Sequence, residues 1–178
     1  MSSIQGRHIL AVLVENKPGV LTRVAGMFAR RGYNIHSLAV GPTEDPRVSR
    51  ITIVAGTEAV RLEQIIKQLN KLIHVLKIVE LAHGDSIERE LQLVKVSATT
   101  QTRSQIIELA DVFHAEIADV DHDAITIELA STPERLESLV DLLAPYGIRE
   151  LVRTGTIALA RGEKSITDGS KLRLRPVS

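Results

Sequence analysis

Residues 12–35 read VLVENKPGVLTRVAGMFARRGYNI, and the order of apolar, turn and basic residues in this stretch decides the fold. The apolar run 9–14 is typical of a buried strand, and the polar turn 15–19 ends it. A helix is expected next, because an apolar face recurs at helical spacing. Its members are Val20, Leu21, Val24, Ala25 and Phe28. Two arginines and a glycine at 30–32 indicate the helix end, since cations suit its negative pole and glycine adopts a left-handed turn.

The turn before this helix carries the chemistry. Gly19 leaves no side chain between solvent and the first amide N–H groups of the helix, which form a ready site for a carboxylate or a phosphate. Asn16 and Asn34 offer carboxamides that both donate and accept hydrogen bonds. Such uncharged, bifunctional groups suit a zwitterionic amino acid better than a phosphate. A purely structural interpretation, with a tight turn at Asn16 and Gly19 and a strand entry at Asn34, remains open at this point.

The rest of the chain predicts the same unit twice. Strand and helix patterns follow the order βαββαβ in the first half, and the second half repeats that order. Ile-Thr-Ile begins at Ile51 and again at Ile125, and Arg-Leu-Glu begins at Arg61 and again at Arg135, both 74 positions apart. The predicted fold class is therefore α+β. It consists of two ferredoxin-like βαββαβ modules, each an antiparallel four-stranded sheet with both helices on one side.

The predicted modules span residues 5–82 and 90–162, with a linker at 83–89 and a tail at 163–178. The tail is polar, basic near its end and without period, so it is expected to be flexible. In the second module the helix entrance at 99–103 lacks the proline-glycine turn of the first. We therefore expect a repeated fold without a repeated binding turn.

Composition narrows the classes of partner. The 22 basic and 22 acidic side chains balance, which gives no reason to expect a nucleic acid or an anionic membrane. There is no cysteine, so disulfides, thiolate metal sites and thiol nucleophiles are excluded. The first residues lack the apolar segment of a signal peptide, and no apolar run approaches the roughly 18 residues of a membrane span. A soluble, cytoplasmic protein is expected.

Catalytic and metal motifs are weak. The six histidines are scattered, without a His-Glu-x-x-His spacing, and no serine lies in a nucleophile elbow. The densest polar cluster holds Asp119, Asp121, His122 and Asp123, and its carboxylates are weak candidates for a divalent cation. Aspartate also favours hairpin tips, which is the plainer interpretation. No catalytic residue is predicted.

Resemblance to known families sharpens these expectations. The run ENKPGVLTRVAGMFARRGYNI, at 15–35, resembles the ligand-binding signature of ACT domains, small βαββαβ modules that bind amino acids. The longer stretch 8–53, the LVKV run at 93–96 and IALARG at 157–162 resemble the regulatory (small) subunit of acetohydroxyacid synthase, also called acetolactate synthase. The resemblance covers residues 7–162.

That resemblance implies a non-catalytic subunit that carries no cofactor of its own. It would activate a separate catalytic large subunit, which uses thiamine diphosphate, FAD and Mg²⁺, and confer feedback inhibition by valine. Two ACT domains would pair in a homodimer, with effector sites at their interface formed by the turn of one chain and Asn34 of the other. The implied effector-binding residues are Asn16, Pro18, Gly19, Val20, Leu21, Asn34 and Ile35. The preference among valine, leucine and isoleucine stays open.

Two other regulators built on the same module also stay open. An amino-acid-responsive transcription factor would need a DNA-binding segment, and no helix-turn-helix pattern or basic patch is visible in the sequence. A metal-responsive pair of ferredoxin-like domains would work through the carboxylates around Asp121.

Overall fold

A computed structural model describes residues 6–168 except 57 and 83, together with 172 and 174. The described residues divide into two compact units, one formed by those within 1–87 and 156–178 and the other by 88–155. Each unit contains an antiparallel sheet with two helices, and the predicted α+β class with two βαββαβ modules is confirmed. Within the described residues, no helix has the length and apolar character needed to cross a membrane.

The first unit carries its elements in the predicted order. They are β1 (Arg7–Glu15), α1 (Val20–Arg30), β2 (Ile35–Pro42), β3 (Val48–Gly56), α2 (Ala59–Leu69) and β4 (Val75–Leu81). The sheet order is β2-β3-β1-β4 with every pair antiparallel. Strand β1 is central and buried from its third residue to its last, as its unbroken apolar run predicts. Strand β2 lies at the edge.

The core of the first unit lies between its sheet and the two helices. It contains Leu10, Val12, Val14, Val20, Val24, Met27, Phe28, Ile51, Ile53, Leu62, Ile65 and Leu69. The predicted helical face differs at two positions, because Leu21 is 41% exposed whereas Met27, which was not predicted, is buried. Leu21 lies one residue beyond the buried Val20, about 100° further around the helix, and so on the flank of the buried stripe.

The second unit repeats this plan. Its elements are β5 (Ser86–Ser97), α3 (Arg103–Phe113), β6 (Glu116–Val120), β7 (Ala124–Ser131), α4 (Pro133–Leu143) and β8 (Ile148–Arg153). The sheet order β6-β7-β5-β8 matches the first sheet strand by strand. Its core again lies between sheet and helices and contains Val94, Val96, Ala98, Ile106, Ala110, Ile125, Ile127, Leu129, Leu136, Leu139 and Leu143.

The last described segment belongs to the first unit. Strand β9 (Ile157–Ala160) was expected within the second module, yet Ala158 packs with Ile9 and Ala11 on the face of the first sheet that the helices leave bare. Arg50 Nη2 donates to the carbonyl of Ala158 at 2.6 Å, and Thr156 N donates to Ser37 Oγ at 2.6 Å. The reason is physical. Successive residues of β1 point to opposite faces of the sheet, and both sets are apolar. The face without helices must therefore also be buried by another segment.

The expected boundaries change accordingly. Residues 86–89, assigned to the linker, begin strand β5, and position 83 lies outside the described residues. The start of the expected tail packs on the first unit. Ile166 contacts the Ile9 face, and Lys77 Nζ donates to the carbonyl of Asp168 at 2.7 Å. The tail positions 169–171, 173 and 175–178 lie outside the described residues.

Candidate functional site

The entrance to α1 is bare. Gly19 is the N-cap residue with φ 78° and ψ −4°, a left-handed conformation that glycine adopts without steric cost. No side chain of the described residues caps the helix, and a Cβ built at Gly19 would meet nothing within 4 Å. The first intrahelical bond runs from Arg23 N to Gly19 O at 3.1 Å. The amide groups of Leu21 and Thr22 therefore precede the helical ladder and point outward, which favours an anion.

Asn16 fastens this turn to the loop between β2 and β3. Its Nδ2 donates to the carbonyl of Pro46 at 2.9 Å, and its backbone N donates to the carbonyl of Arg47 at 2.7 Å. One of the two Nδ2 hydrogens is thus used within the chain. The remaining oxygen, Oδ1, is the atom that can accept from the ammonium group of an amino acid.

An ion pair orders that same loop. Arg47 donates to both carboxylate oxygens of Asp45, from Nε at 2.9 Å and from Nη2 at 2.7 Å, and its backbone N donates to Oδ1 at 3.0 Å. These hydrogen bonds lower the pKa of Asp45 from 3.8 to about 2. The loop that receives the Asn16 bonds is therefore itself held by three hydrogen bonds.

Asn34 lies at the opposite end of the sheet in the same chain. It precedes Ile35, which pairs with Ala55, whereas Asn16 follows Glu15, which pairs with Val48. The seven steps along β3 from Val48 to Ala55 correspond to a rise of about 23 Å at ~3.3 Å per residue. Within one chain, therefore, the structure does not bring Asn34 to the Gly19 entrance.

The edge of the first sheet carries apolar side chains. Strand β2 ends the sheet order, and Val40 on this strand is 47% exposed. Leu21 is also exposed, while Ile35 and Leu38 are partly buried against the core. An unpaired strand edge with apolar side chains is a template for pairing with another chain.

Comparison with known proteins gives the family. The AHAS small subunit-like ACT domain matches residues 10–77, and the small subunit of acetolactate synthase domain matches residues 89–162. The chain belongs to the acetolactate synthase small-subunit family. It is a regulatory small subunit with an amino-terminal ACT domain.

Individual relatives agree with this family over nearly their full length. The acetolactate synthase small subunit of Mycolicibacterium smegmatis is 53% identical over 166 residues, 93% of this chain and 98% of that protein. The probable acetolactate synthase small subunit of Archaeoglobus fulgidus is 50% identical over 158 residues, 89% of this chain and 99% of that protein. The crystal structure of the small subunit from Thermotoga maritima has a TM-score of 0.83 at 36% identity, covering 89% of this chain and 99% of that one.

The second unit of this small subunit has a different helix entrance. Thr99 folds back over it, because its Oγ1 accepts from Thr102 N at 3.2 Å and its carbonyl accepts from Arg103 N at 2.9 Å. Thr102 Oγ1 in turn accepts from Thr99 N at 2.9 Å. These reciprocal bonds fold residues 99–103 into a compact turn, and α3 starts from Thr102 in the right-handed region, with φ −99° and ψ −14°. The left-handed glycine turn that opens α1 is therefore not duplicated in the second unit.

The weak metal candidate on this small subunit finds no support. Among the described residues, no three histidine or carboxylate side chains are grouped so that they could hold a metal ion. This statement covers Asp119, Asp121 and Asp123, which are all described. The tip of the β6–β7 hairpin is instead held by Arg103, whose Nη2 donates to the carbonyls of Asp121 at 3.0 Å and His122 at 2.7 Å.

One group near the entrance was not anticipated from the sequence. Glu15 is only 2% exposed, and its Oε2 lies 3.1 Å from Lys17 Nζ and 2.8 Å from His74 Nδ1. A charged residue at the end of a strand usually faces solvent, and His74 is remote in sequence. The sequence therefore carries no local signal for this buried group.

Proposed function

We propose that this small subunit raises the activity of a catalytic large subunit of acetolactate synthase and makes that enzyme sensitive to feedback inhibition by valine. Catalysis, with thiamine diphosphate, FAD and Mg²⁺, would reside in the large subunit. Membership of the family supports the partnership. The observation that carries the effector site is the bare, left-handed Gly19 entrance to α1.

The valine carboxylate accepts hydrogen bonds from the first amides of α1, where the helix dipole favours a negative charge. Asn16 Oδ1 accepts from the ammonium group, while Asn16 Nδ2 keeps its bond to Pro46. The isopropyl group contacts Leu21 of the same chain and Ile35 of the partner subunit, because both side chains are only partly covered within one chain. Pro18 and Val20 complete the turn, and Val20 also anchors it in the core.

Homodimerisation completes the site. An antiparallel pairing of β2 with β2 of a second copy, centred between Leu38 and Ala39, sets Ile35 of the partner subunit opposite Pro42. Asn34 of the partner subunit then lies opposite Thr43, at the level of the Glu15–Val48 pair and beside the turn. This pairing explains why Asn34 can serve the site from a second chain although it is about 23 Å along the strand in its own.

Regulation follows from the shared site. Because each effector contacts two chains, its binding stabilises one arrangement of the dimer. The activity of the large subunit changes if it binds this arrangement with a different affinity from the others. Coupling of this kind is typically about 1–3 kcal/mol, or roughly 5- to 150-fold in affinity. An apolar pocket distinguishes one methylene by only about 1–3 kcal/mol, so leucine and isoleucine also bind.

Gly19→Asp tests the proposal. The new carboxylate occupies the position of the effector's own carboxylate, and aspartate tolerates the left-handed backbone better than most residues. The matched control is Gly84→Asp, because Gly84 has φ 91° and also open space around a built Cβ. Acetolactate formation by the reconstituted large subunit is measured with and without valine.

We expect Gly19→Asp to abolish valine inhibition while activation is kept, and Gly84→Asp to behave as the wild type. Valine inhibition that survives Gly19→Asp rejects the site. A wild-type chain that leaves the large subunit unchanged in activity rejects the proposed function.

A further inference from the structure

A buried carboxylate, that of Glu15, immediately precedes residues 16–19, which we call the effector turn. Glu15 is the last residue of β1, and its side chain points to the sheet face occupied by Ile9 and Ala11, because the register of β1 against β3 is unbroken. Its exposed fraction is 2%. A carboxylate at such a position is costly unless partners with hydrogen bonds compensate its lost hydration.

Two of its partners come from the turn and from the α2–β4 connection. Lys17 Nζ lies 3.1 Å from Glu15 Oε2, and Lys17 N donates to the carbonyl of Glu15 at 2.9 Å. His74 Nδ1 lies 2.8 Å from the same oxygen, and the carbonyl of His74 accepts from Glu15 N at 2.9 Å. Each partner is therefore joined to Glu15 through both its side chain and its backbone.

The regular ladder is interrupted beside this group. The register of β1 against β4 shifts between Leu13 and Val14, since Leu13 pairs with Lys77 and Val14 with Val75. Such a bulge bends the strand and loosens its pairing. Beyond it, the bonds between Glu15 and His74 tie the end of β1 to the neighbouring segment.

We propose that Glu15, together with Lys17 and His74, is a positioning group for the effector turn. It holds residues 16–19 in the conformation that keeps the Gly19 entrance open, and it acts through Lys17 without touching the effector. This inference rests on the proposed function. Loss of the Glu15 charge frees Lys17, so that the turn samples conformations in which the α1 amides and Asn16 no longer converge on one ligand.

The test is calorimetric titration of valine into the full chain, with the thermal midpoint measured separately. Glu15→Gln and Lys17→Met are each expected to weaken valine binding about tenfold, within the range typical of coupling between a ligand and a group that it does not touch. The double variant should bind no more weakly than either single variant, because both changes break one interaction. Lys17→Arg, which keeps the charge, should bind as the wild type does.

Glu80→Gln is the matched control. Glu80 Oε1 also lies 2.8 Å from a histidine nitrogen, His8 Nδ1, in the same sheet. Glu80 is the strand partner of Leu10 and is therefore remote from the effector turn. We expect this variant to keep wild-type valine affinity. If loss of any histidine–glutamate pair weakened binding, Glu80→Gln would lower valine affinity as much as Glu15→Gln does.

The outcomes separate the two proposals. Wild-type affinity in Glu15→Gln, or strictly additive losses in the double variant, overturns the positioning role and leaves the proposed function standing. A wild-type chain that binds no valine overturns both. If Glu15→Gln fails to fold, Lys17 still decides, because its side chain is 35% exposed and tolerates substitution more easily. Equal affinity of Lys17→Met and Lys17→Arg overturns the inference.

Discussion

The side-chain amide of Asn16 donates a 2.9 Å hydrogen bond to the backbone carbonyl of Pro46 and thereby joins the effector turn to the β2–β3 loop. The bond connects two segments that are 30 positions apart. It also restrains the carboxamide, whose Oδ1 is an acceptor that the proposed effector can use. The same side chain therefore serves the fold with one atom and the proposed effector with the other.

Asn16→Ala removes both contributions. We expect the free energy of unfolding to fall by about 0.5–1.5 kcal/mol, typical of one hydrogen bond, and valine affinity to fall as well. Urea unfolding and calorimetry measure the two quantities. Asn70→Ala serves as control, because Asn70 is exposed at the end of α2. Unchanged valine affinity in Asn16→Ala would exclude Asn16 from the site.

The pair formed by Asp45 and Arg47 predicts a pH dependence. The pKa of Asp45 in the folded chain, about 2, lies below its ordinary value of 3.8, so the pair's contribution to stability is present above pH 3.8. That contribution is lost as the pH falls through the folded pKa. Carboxyl carbon shifts in an NMR titration should show this low pKa, and Arg47→Gln should return it toward 3.8. An ordinary pKa in the wild type would mean that the pair does not persist in solution.

We expect substitutions at two neighbouring residues of β9 to differ in their effect on the free energy of unfolding. Ala158 is 4% exposed against the first sheet, whereas Leu159 is 61% exposed. Ala158→Asp places a carboxylate in an apolar layer and should lower the free energy of unfolding by about 1–3 kcal/mol, because the nearby Arg50 guanidinium offsets only part of the lost hydration. Leu159→Asp should change it little. Equal effects in urea unfolding would show that this segment leaves the sheet in solution.

How much of this was readable from the sequence depends on the range of the interaction. The unbroken apolar run of β1 and the stripe Val20, Val24 and Phe28 are local patterns, and both elements formed where they were expected. The segment that packs on Ile9 is far away in the sequence. The local pattern of β1 shows that its second face is apolar, but it does not specify which distant segment covers that face. The burial of Glu15 likewise depends on His74, 59 positions away, which no local pattern specifies.

The two-chain site predicts that dimerisation and effector binding are lost together. Val40→Lys puts a charge on the open edge of β2, a residue type that natural edge strands use to prevent pairing. Sedimentation velocity should show a monomer, and calorimetry should show weakened valine binding, because Asn34 of the partner subunit no longer reaches the turn. Val60→Lys, on the exposed face of α2, should change neither quantity. A monomeric Val40→Lys chain that binds valine with wild-type affinity would place the whole site within one chain, contrary to the 23 Å or so of strand that separates Asn34 from the turn.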